Sequence, residues 1–272
     1  MIRLRSLAVV GLWLASTPAR ADIISYLRFE EGSGVYAADE TGLMNGALLG
    51  GWASFDPGGG GAGYSGWSTT VPGSTVPLTG AANSGSLYFA GGGEYVNLSN
   101  ANTLDLGTSF TIECYILADE EPIVSSPIFH LTAGSILASV LAPGLEFGSS
   151  FQGYLTAAPA DLVLLGQWKH YALVKEPGEY SIYIDGVLQF NGLLPSGTDG
   201  PYSFFGTDVA GDRDVGAGFR GYIDEFRISD TALTPDQFLI VPEPGTMGLL
   251  GLGGLALLAM RRGRVIRKSL HS

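Results

Sequence analysis

Residues 167–190 carry the strongest local folding signal in the chain, because two runs of aromatic and β-branched residues alternate there with turn residues. The runs at 168–174 and 180–184 are joined by Glu-Pro-Gly-Glu, which predicts a β-hairpin. Asp185-Gly186 follows at once, and an Asp-Gly pair between apolar runs predicts a type I′ turn, in which both central residues need φ > 0. Three antiparallel strands are therefore specified locally, and the other apolar runs must pack on or beside them.

The rest of the chain also predicts β-structure. Glycine is used at about twice its normal frequency without a Gly-x-y period, which favours a loop-rich β fold. Short apolar runs are spaced by Gly and Pro as a sandwich or barrel requires. No stretch before Val241 keeps helical periodicity for three turns. One short helix is predicted to close the domain, because Thr234-Pro235 and Gln237 form a helix-start pattern.

Residues 50–85 are dominated by Gly, Ser, Thr and Pro, which predicts a long surface loop rather than a linker between domains. Trp52 and Trp67 lie in this stretch. Exposed aromatic side chains on a loop can stack on sugar rings, so both are candidate ligand-binding residues. The alternative is that they pin the loop to the sheet.

The charge of the chain is uneven. Between Asp22 and Val241 only six basic residues face 25 acidic ones, a net charge of about −19. This balance argues against nucleic acid or an anionic membrane surface as a partner. An excess of carboxylates is compatible with calcium binding and equally with plain solubility.

Residues 1–21 have the pattern of a secretory signal peptide: two arginines, an apolar run and an Ala-Arg-Ala ending. Cleavage is predicted between Ala21 and Asp22. The apolar run is too short for a permanent membrane span, and a buried core helix is the alternative.

Asp39, Gly42 and Asn45 lie in a glycine-containing loop after the first predicted strand. Oxygen ligands at irregular loop spacing are what Ca²⁺ accepts. The alternative is an Asx-type turn without metal.

Cys114 is the only cysteine, so no intramolecular disulfide can form. It alternates with Ile112 and Ile116 in a strand-like run. This setting favours a buried, apolar thiol over a reactive one.

Four segments, in order along the chain, resemble the laminin-G-like, concanavalin A-like jelly rolls, in the bacterial branch akin to pentraxins. Together they span nearly all of residues 23–239. The first segment is 26–34 with 39–46, the second is 87–91 with 94–96 and 110–113, the third is 168–172 with 183–186, and the fourth is 221–228 with 232–234. The resemblance implies an all-β fold for residues 22–240, in which two antiparallel sheets pack face to face as a jelly-roll sandwich. Such domains bind sugars or proteins, and some are enzymes.

The same resemblance implies a structural calcium where the first loop meets the last strand. Its ligands would be Asp39, a carbonyl near Gly42, Asn45 and Asp224. The spacing departs from the family's Asp-x-x-Gly-Asn pattern, because two further residues precede Asn45.

Residues 241–268 resemble the bacterial PEP-CTERM sorting signal, with Val-Pro-Glu-Pro-Gly-Thr, an apolar stretch at 246–260 and a basic cluster after it. The resemblance implies cutting by an exosortase-type protease near Pro242, Glu243 and Pro244, in a Gram-negative-type bacterium that makes exopolysaccharide. The apolar stretch is shorter than the ~20 residues usual for a spanning helix, and the basic cluster should stay cytoplasmic. A hydrophobic helix that anchors the chain transiently in the inner membrane is therefore expected, with a permanent anchor as the alternative.

Catalysis would need carboxylates, because the three histidines are scattered and no Ser-His-Asp or metal-ligand spacing appears. Glycosidases need two carboxylates that flank the scissile bond. Strand alternation puts Asp224 with Phe226 on one face and Glu225 on the other, and Glu113 has no carboxylate two residues away.

The sequence therefore predicts an exported, non-catalytic protein of the cell surface or extracellular matrix that binds extracellular polysaccharide or a surface protein. The alternatives are a polysaccharide-degrading glycosidase or lyase and a purely structural matrix component.

Overall fold

The structure is a computed structural model, and the residues it describes are 23–43, 46–49, 55–56, 65–76, 79–91, 94–98, 104–119, 126–131, 137–141, 144–149, 153–157, 165–193, 203–204, 207–209 and 219–240. Within these ranges no helix is long and apolar enough to cross a membrane. The predicted signal peptide at 1–21 and the predicted hydrophobic helix at 246–260 lie outside the described residues.

The described residues form β-strands and one short 3-10 helix, Pro235–Gln237. The strands are β1 (Ile23–Leu27), β2 (Tyr36–Ala37), β3 (Gly46–Leu49), β4 (Phe55–Asp56), β5 (Ser65–Ser68), β6 (Ser86–Ala90), β7 (Tyr95–Leu98), β8 (Leu104–Asp105), β9 (Phe110–Ala118), β10 (Ser126–Leu131), β11 (Leu137–Leu141), β12 (Gly144–Ser149), β13 (Gly153–Ala157), β14 (Lys169–Glu176), β15 (Glu179–Ile184), β16 (Val187–Leu193), β17 (Ser203–Phe204), β18 (Thr207–Val209) and β19 (Arg220–Ser229).

The strands build two large sheets. Sheet A has the order β16-β15-β14-β9-β19-β6-β5-β4, with β1 also paired to β19, and sheet B has the order β13-β12-β11-β10-β18-β7-β3-β2. The short strands β8 and β17 pair separately. All of these pairs are antiparallel except β4 with β5. The prediction of an all-β, two-sheet antiparallel fold is therefore confirmed.

The main hydrophobic core lies between the two sheets. Sheet A contributes large buried side chains such as Phe89, Phe110 and Phe226, and sheet B contributes Val96 and Leu98. Cys114 belongs to this core, as predicted, and burial raises the pKa of its thiol. The apolar residues that alternate along the strands therefore pack between two layers, around one interior.

The hairpins predicted for residues 167–190 are present as β14, β15 and β16. Asp185 and Gly186 have φ values of 49° and 75°, as the predicted type I′ turn requires. Sequence-local turn chemistry therefore determines this edge of sheet A.

The predicted long loop at 50–85 is wrong in part. Ser65–Ser68 forms β5, which pairs with β6 and extends sheet A. The composition of this stretch suggested irregular structure, but its Gly-Trp pair at 66–67 fits a strand because Trp67 packs into the core.

Strand β19 contains a β-bulge that the alternation pattern did not predict. Asp224 lies opposite Tyr115 and Arg227 opposite Glu113, so one extra residue stands in β19. Glu225 adopts φ 51°, in the left-handed region. The bulge reverses the alternation, and Phe226 therefore enters the core beside Ile223 rather than sharing a face with Asp224.

The face of sheet A that points away from sheet B carries Glu113 and Tyr115 of β9 and is called the outer face. The residues after β19 lie across part of it, where Leu233 and Phe238 pack on Ala172 and Val174. The predicted closing helix is the 3-10 turn, and Gln237 Oε1 accepts a hydrogen bond from the Thr234 N–H at 2.9 Å.

Candidate functional site

The bulge in β19 brings three carboxylates to the outer face. Asp224 pairs with Tyr115 and Arg227 with Glu113, and cross-strand partners share a face. Glu225 lies between them and reaches Tyr26, whose ring also packs on the outer face. The prediction that Asp224 and Glu225 point to opposite faces is therefore wrong, because it assumed unbroken alternation.

Glu225 is buried in a pocket of hydrogen-bond donors. The Tyr26 hydroxyl donates to its Oε2, and the Arg28 Nε donates to its Oε1 at 3.4 Å. Burial raises the pKa of Glu225 to about 7, and Tyr26 and Arg28 oppose that rise only in part. A carboxyl with such a pKa is a group that can act as a general acid if a substrate reaches it.

Asp224 has its own separate partners. Its Oδ2 accepts a hydrogen bond from Asn83 Nδ2 at 2.9 Å, and its Oδ1 accepts one from the Glu225 N–H at 2.8 Å. Burial raises the pKa of Asp224 well above its usual range, and the neighbouring charge of Glu225 adds to the shift.

Glu113 is the centre of a third arrangement. It accepts hydrogen bonds from His170 Nε2 at 2.7 Å, from Arg227 Nε at 2.6 Å and from the Leu239 N–H at 2.8 Å. Burial alone would raise its pKa, but the hydrogen bond from His170 and the charge of Arg227 outweigh burial and lower the pKa. Glu113 is therefore an ionised, fully paired carboxylate.

These three carboxylates share a face, yet their exposure argues against catalysis. Glu113, Asp224 and Glu225 are 1%, 0% and 1% exposed, and each is bonded to donors of the protein. A glycosidase has to place its two carboxylates on either side of a sugar linkage and, for inversion, a water. Buried carboxylates that are bonded to the protein's own donors are suited to holding the fold together.

Two of the residues expected to bind calcium, Asp39 and Gly42, form a hydrogen-bonded turn. Asp39 Oδ1 accepts hydrogen bonds from the N–H groups of Tyr26 and Thr41, at 2.8 and 3.1 Å, and Oδ2 accepts one from the Thr41 hydroxyl at 2.6 Å. This is the Asx-type turn that the sequence left open. The Gly42 N–H donates to the Asp39 carbonyl at 2.8 Å, so Gly42 completes that turn.

Asp39 and Asp224 have none of these hydrogen-bond partners in common. Within the described ranges no group of three or more His, Cys, Asp or Glu residues is arranged to hold a metal ion. The expected calcium site contains only two carboxylates, with an asparagine and a carbonyl, so it is not a group of that kind. Asn45 lies outside those ranges, and calcium binding stays a prediction.

Of the two candidate ligand-binding tryptophans, the structure describes only Trp67. Trp67 is 4% exposed, packs in the main core and donates its Nε1–H to the Gly34 carbonyl at 2.9 Å. It pins its strand to the sheet and cannot stack on a ligand. Trp52 lies outside the described residues, as do the predicted cleavage point at Ala21 and Asp22 and the motif residues Pro242, Glu243 and Pro244.

The outer face carries an aromatic row that sequence analysis did not single out. Tyr222 of β19 lies opposite Tyr88 of β6 and opposite Leu117 of β9. The ring centroids of Tyr88 and Tyr222 are 4.8 Å apart, and those of Trp168 and Tyr222 are 6.2 Å apart. Trp168 and Tyr222 are half-buried, so ring surface in this row remains open to solvent.

Polar groups border this row. Arg220 Nε donates to the Tyr88 hydroxyl at 3.4 Å, and a hydrogen bond links Thr70 with Tyr222. The exposed residue Asp119 lies next to Arg220 across the strands, where its N–H donates to the Arg220 carbonyl at 3.2 Å. Aromatic surface beside charged and hydroxyl groups is suited to a ligand with one apolar and one polar side, such as a sugar ring.

The sequence contained a partial signal for the row. Tyr88 and Tyr222 each lie in a predicted strand, but only the pairing register shows that they are neighbours. Trp168 belongs to the predicted hairpin run at 168–174, and its sequence position does not place it beside Tyr222.

Solved structures similar to this chain include sugar-binding and receptor-binding domains. Domain 4 of AbnA, a GH43 extracellular arabinanase from Geobacillus stearothermophilus solved with arabinotriose, matches with a TM-score of 0.57 at 20% identity, over 80% of this chain and 96% of that one. Trypanosoma rangeli sialidase in complex with sialic acid matches with a TM-score of 0.52 at 14% identity, over 79% of this chain and 31% of the sialidase.

The receptor-binding domain of botulinum neurotoxin C/D mosaic serotype matches with a TM-score of 0.52 at 10% identity, over 79% of this chain and 49% of that one. At these identities the likeness shows the fold alone. No curated protein sequence matches the chain.

Two family models match. The PEP-CTERM protein-sorting motif matches residues 241–264, which indicates an exported protein sorted to the cell envelope or surface. The model of the Concanavalin A-like lectin/glucanases superfamily, in its laminin-G-like form, matches residues 90–238. Because that match covers more than half of the chain, this protein belongs to the Concanavalin A-like lectin/glucanases superfamily.

Proposed function

We propose that the chain is an exported, non-catalytic surface or matrix protein whose sandwich binds a neutral extracellular polysaccharide. The observation that carries the proposal is the aromatic row, in which the half-buried Trp168 and Tyr222 lie beside the buried Tyr88, with its polar border. The net charge of about −19 between Asp22 and Val241 disfavours polyanionic glycans, because like charges repel.

Burial of the three carboxylates supports the non-catalytic part of the proposal. The arabinotriose complex of AbnA domain 4 supports the ligand class, since that domain spans most of this chain's length in the same fold. A protein ligand on the same face is the second candidate, suggested by the receptor-binding domain of the neurotoxin.

We further propose that an exosortase-type protease processes the chain near Pro242, Glu243 and Pro244. Until then, residues 246–260 would hold it transiently in the inner membrane. The mature protein would then stay at the surface or in the matrix, where an extracellular polysaccharide is within reach.

The binding proposal is tested with the exported protein on an array of neutral and acidic polysaccharides, followed by calorimetric titration of the best ligand. Trp168→Ala should weaken binding about tenfold, because losing one stacking surface costs roughly 1–2 kcal/mol. Trp168→Phe should retain most of the affinity, since it retains an aromatic face.

Tyr36→Ala is the matched control. Tyr36 is an aromatic residue that is 66% exposed on β2, at the edge of sheet B and away from the row. The affinity of Tyr36→Ala for the polysaccharide should stay within twofold of that of the unsubstituted protein. Equal losses in Trp168→Ala and Tyr36→Ala, at unchanged melting temperature, would contradict the assignment. Release of reducing sugar ends, abolished by Glu225→Gln, would favour the enzyme alternative instead.

A further inference from the structure

The outer face of sheet A is covered unevenly by the residues that follow β19. Phe238 packs edge-on against Tyr183 of β15, with ring centroids 5.3 Å apart, and Ile240 joins the same cluster. The cover therefore extends across β14 and reaches β15. The edge strand of sheet A among the described strands is β16, and the covering residues do not reach it.

Two leucines continue the outer face onto β16. Leu188 lies opposite Tyr183, and Leu193 lies opposite Glu179. They are 50% and 78% exposed, respectively. Asn191, which donates hydrogen bonds to Ser181 at 2.9 Å and to Glu179 at 3.3 Å, lies between these two apolar side chains on the same face. The track from Leu188 to Leu193 along the edge strand is called the β16 strip, and it directly extends the surface that Phe238 and Ile240 cover.

The described chain ends beside the start of this strip. Ile240 lies against Gly186, the turn residue that precedes β16, and its Cδ1 would be only 2.7 Å from a Cβ placed on Gly186. The two residues are therefore direct neighbours, and the φ of 75° at Gly186 favours glycine there. Val241 follows Ile240 directly in the chain, so the last described residue lies next to the start of β16.

The length and chemistry of the next five residues match the strip. Val-Pro-Glu-Pro-Gly at 241–245 spans about 15 Å when extended, as its prolines favour. Leu188 and Leu193 are about 17 Å apart along a strand. Pro242 and Pro244 have no N–H to donate to an edge strand, so contact would be made by apolar side chains rather than by an added strand.

We propose that in the uncut chain residues 241–245 dock along the β16 strip, with Val241 and Pro242 over Leu188 and Pro244 towards Leu193. The segment that matches the sorting motif is then held extended against the domain. A membrane surface is a poorer occupant, because the acidic domain repels anionic headgroups. The sorting protease accordingly meets its motif as a docked, extended strand-like peptide.

The test is hydrogen exchange, read by mass spectrometry, on the full uncut chain purified in detergent from cells that lack the sorting protease. Leu188→Asp combined with Leu193→Asp should speed exchange in peptides covering 241–250 by about tenfold or more. Val187→Asp is the matched control, since Val187 is 61% exposed on the same strand but lies opposite Ile184, whose side chain faces the core. It should change exchange in those peptides by less than twofold.

Peptides from β14 and β19 monitor the fold and should stay protected in every variant. If the aspartates disturb the fold, Leu188→Ser combined with Leu193→Ser takes their place. Unchanged exchange at 241–250 in a folded double variant overturns the proposal. Two further results would also overturn it. If only the double variant loses a concentration-dependent dimer, the strip binds a second copy of the chain. If only the double variant loses binding to anionic vesicles, the strip binds the membrane.

Discussion

Glu225 shows how one backbone position decides what a whole strand face contains. Its left-handed φ of 51° creates the bulge, and a non-glycine residue there costs roughly 1–3 kcal/mol. In this conformation the side chain accepts hydrogen bonds from Tyr26 and Arg28. They offset the backbone cost and leave a protonatable carboxyl inside the protein.

The pKa of Glu225 predicts a specific pH dependence of stability. Its pKa is about 7 in the folded protein and 4.5 ordinarily, so between these values the folded state binds more protons than the unfolded state. Stability should therefore fall as pH rises through this window, by about 2–3 kcal/mol in total. Urea denaturation at pH 5, 6, 7 and 8 measures this, and Glu225→Gln should lose that part of the slope.

Glu176→Gln is the control, because Glu176 is exposed at the hairpin turn. It should leave the pH dependence as it is. A Glu225→Gln variant that keeps the full slope would show that another group, such as Asp224, carries the dependence.

At the scale of elements, three segments that are distant in sequence are joined by one buried carboxylate. Glu113 of β9 holds His170 of β14, Arg227 of β19 and the backbone of Leu239. Arg227 also donates from Nη2 to the Gln237 carbonyl at 2.8 Å. The residues after β19 are therefore fixed to the outer face by charge as well as by apolar packing.

Glu113→Met should destabilise the domain by about 3–5 kcal/mol, because it leaves the Arg227 guanidinium buried without its carboxylate. The double variant Glu113→Met with Arg227→Met should be more stable than Glu113→Met alone. Chemical denaturation of both single variants and the double variant gives the coupling energy.

Lys169→Met is the comparison for an exposed ion pair. It removes the contact of Lys169 with Asp185, whose side chains are 19% and 29% exposed, and should cost no more than about 1 kcal/mol. A similar cost for Lys169→Met and Glu113→Met would show that the buried network contributes no more than a surface pair.

The sequence predicts features that depend on interactions between nearby residues, and it does not predict features that depend on residues far apart in the chain. The β14–β16 hairpins were predictable because their turn residues act within a few positions. The bulge was not, since Asp-Glu-Phe contains no glycine to indicate a positive φ and its partners on β1 and β9 are far away in sequence. Trp67 was equally ambiguous until its strand was paired with β6, and the aromatic row needed the register of three strands.

At the scale of the whole molecule, the last described residue, Ile240, directly precedes the residues that match the sorting motif. Processing there would remove the apolar and basic residues and leave the sandwich complete. Mass spectrometry of the exported protein should therefore find a C-terminus near residues 242–244 and no Arg261.

Cells without the sorting protease provide the control, and their chain should retain the tail. Glu243→Ala should also slow the cut, since it alters the matched motif without touching the described fold. An exported, surface-located protein that still carries residues 261–272 would contradict the processing proposal and favour a permanent anchor.

The position of β19 determines when sheet A can close during export. This strand is the last of the described strands, yet it occupies the middle of sheet A, where β1, β6 and β9 all pair with it. A chain that crosses a membrane unfolded and N-terminus first cannot complete sheet A until residue 229 has crossed, so closure of the sheet comes late in export. The unfinished sheet stays open to chaperones and proteases throughout transit, and such long-range closure is slow.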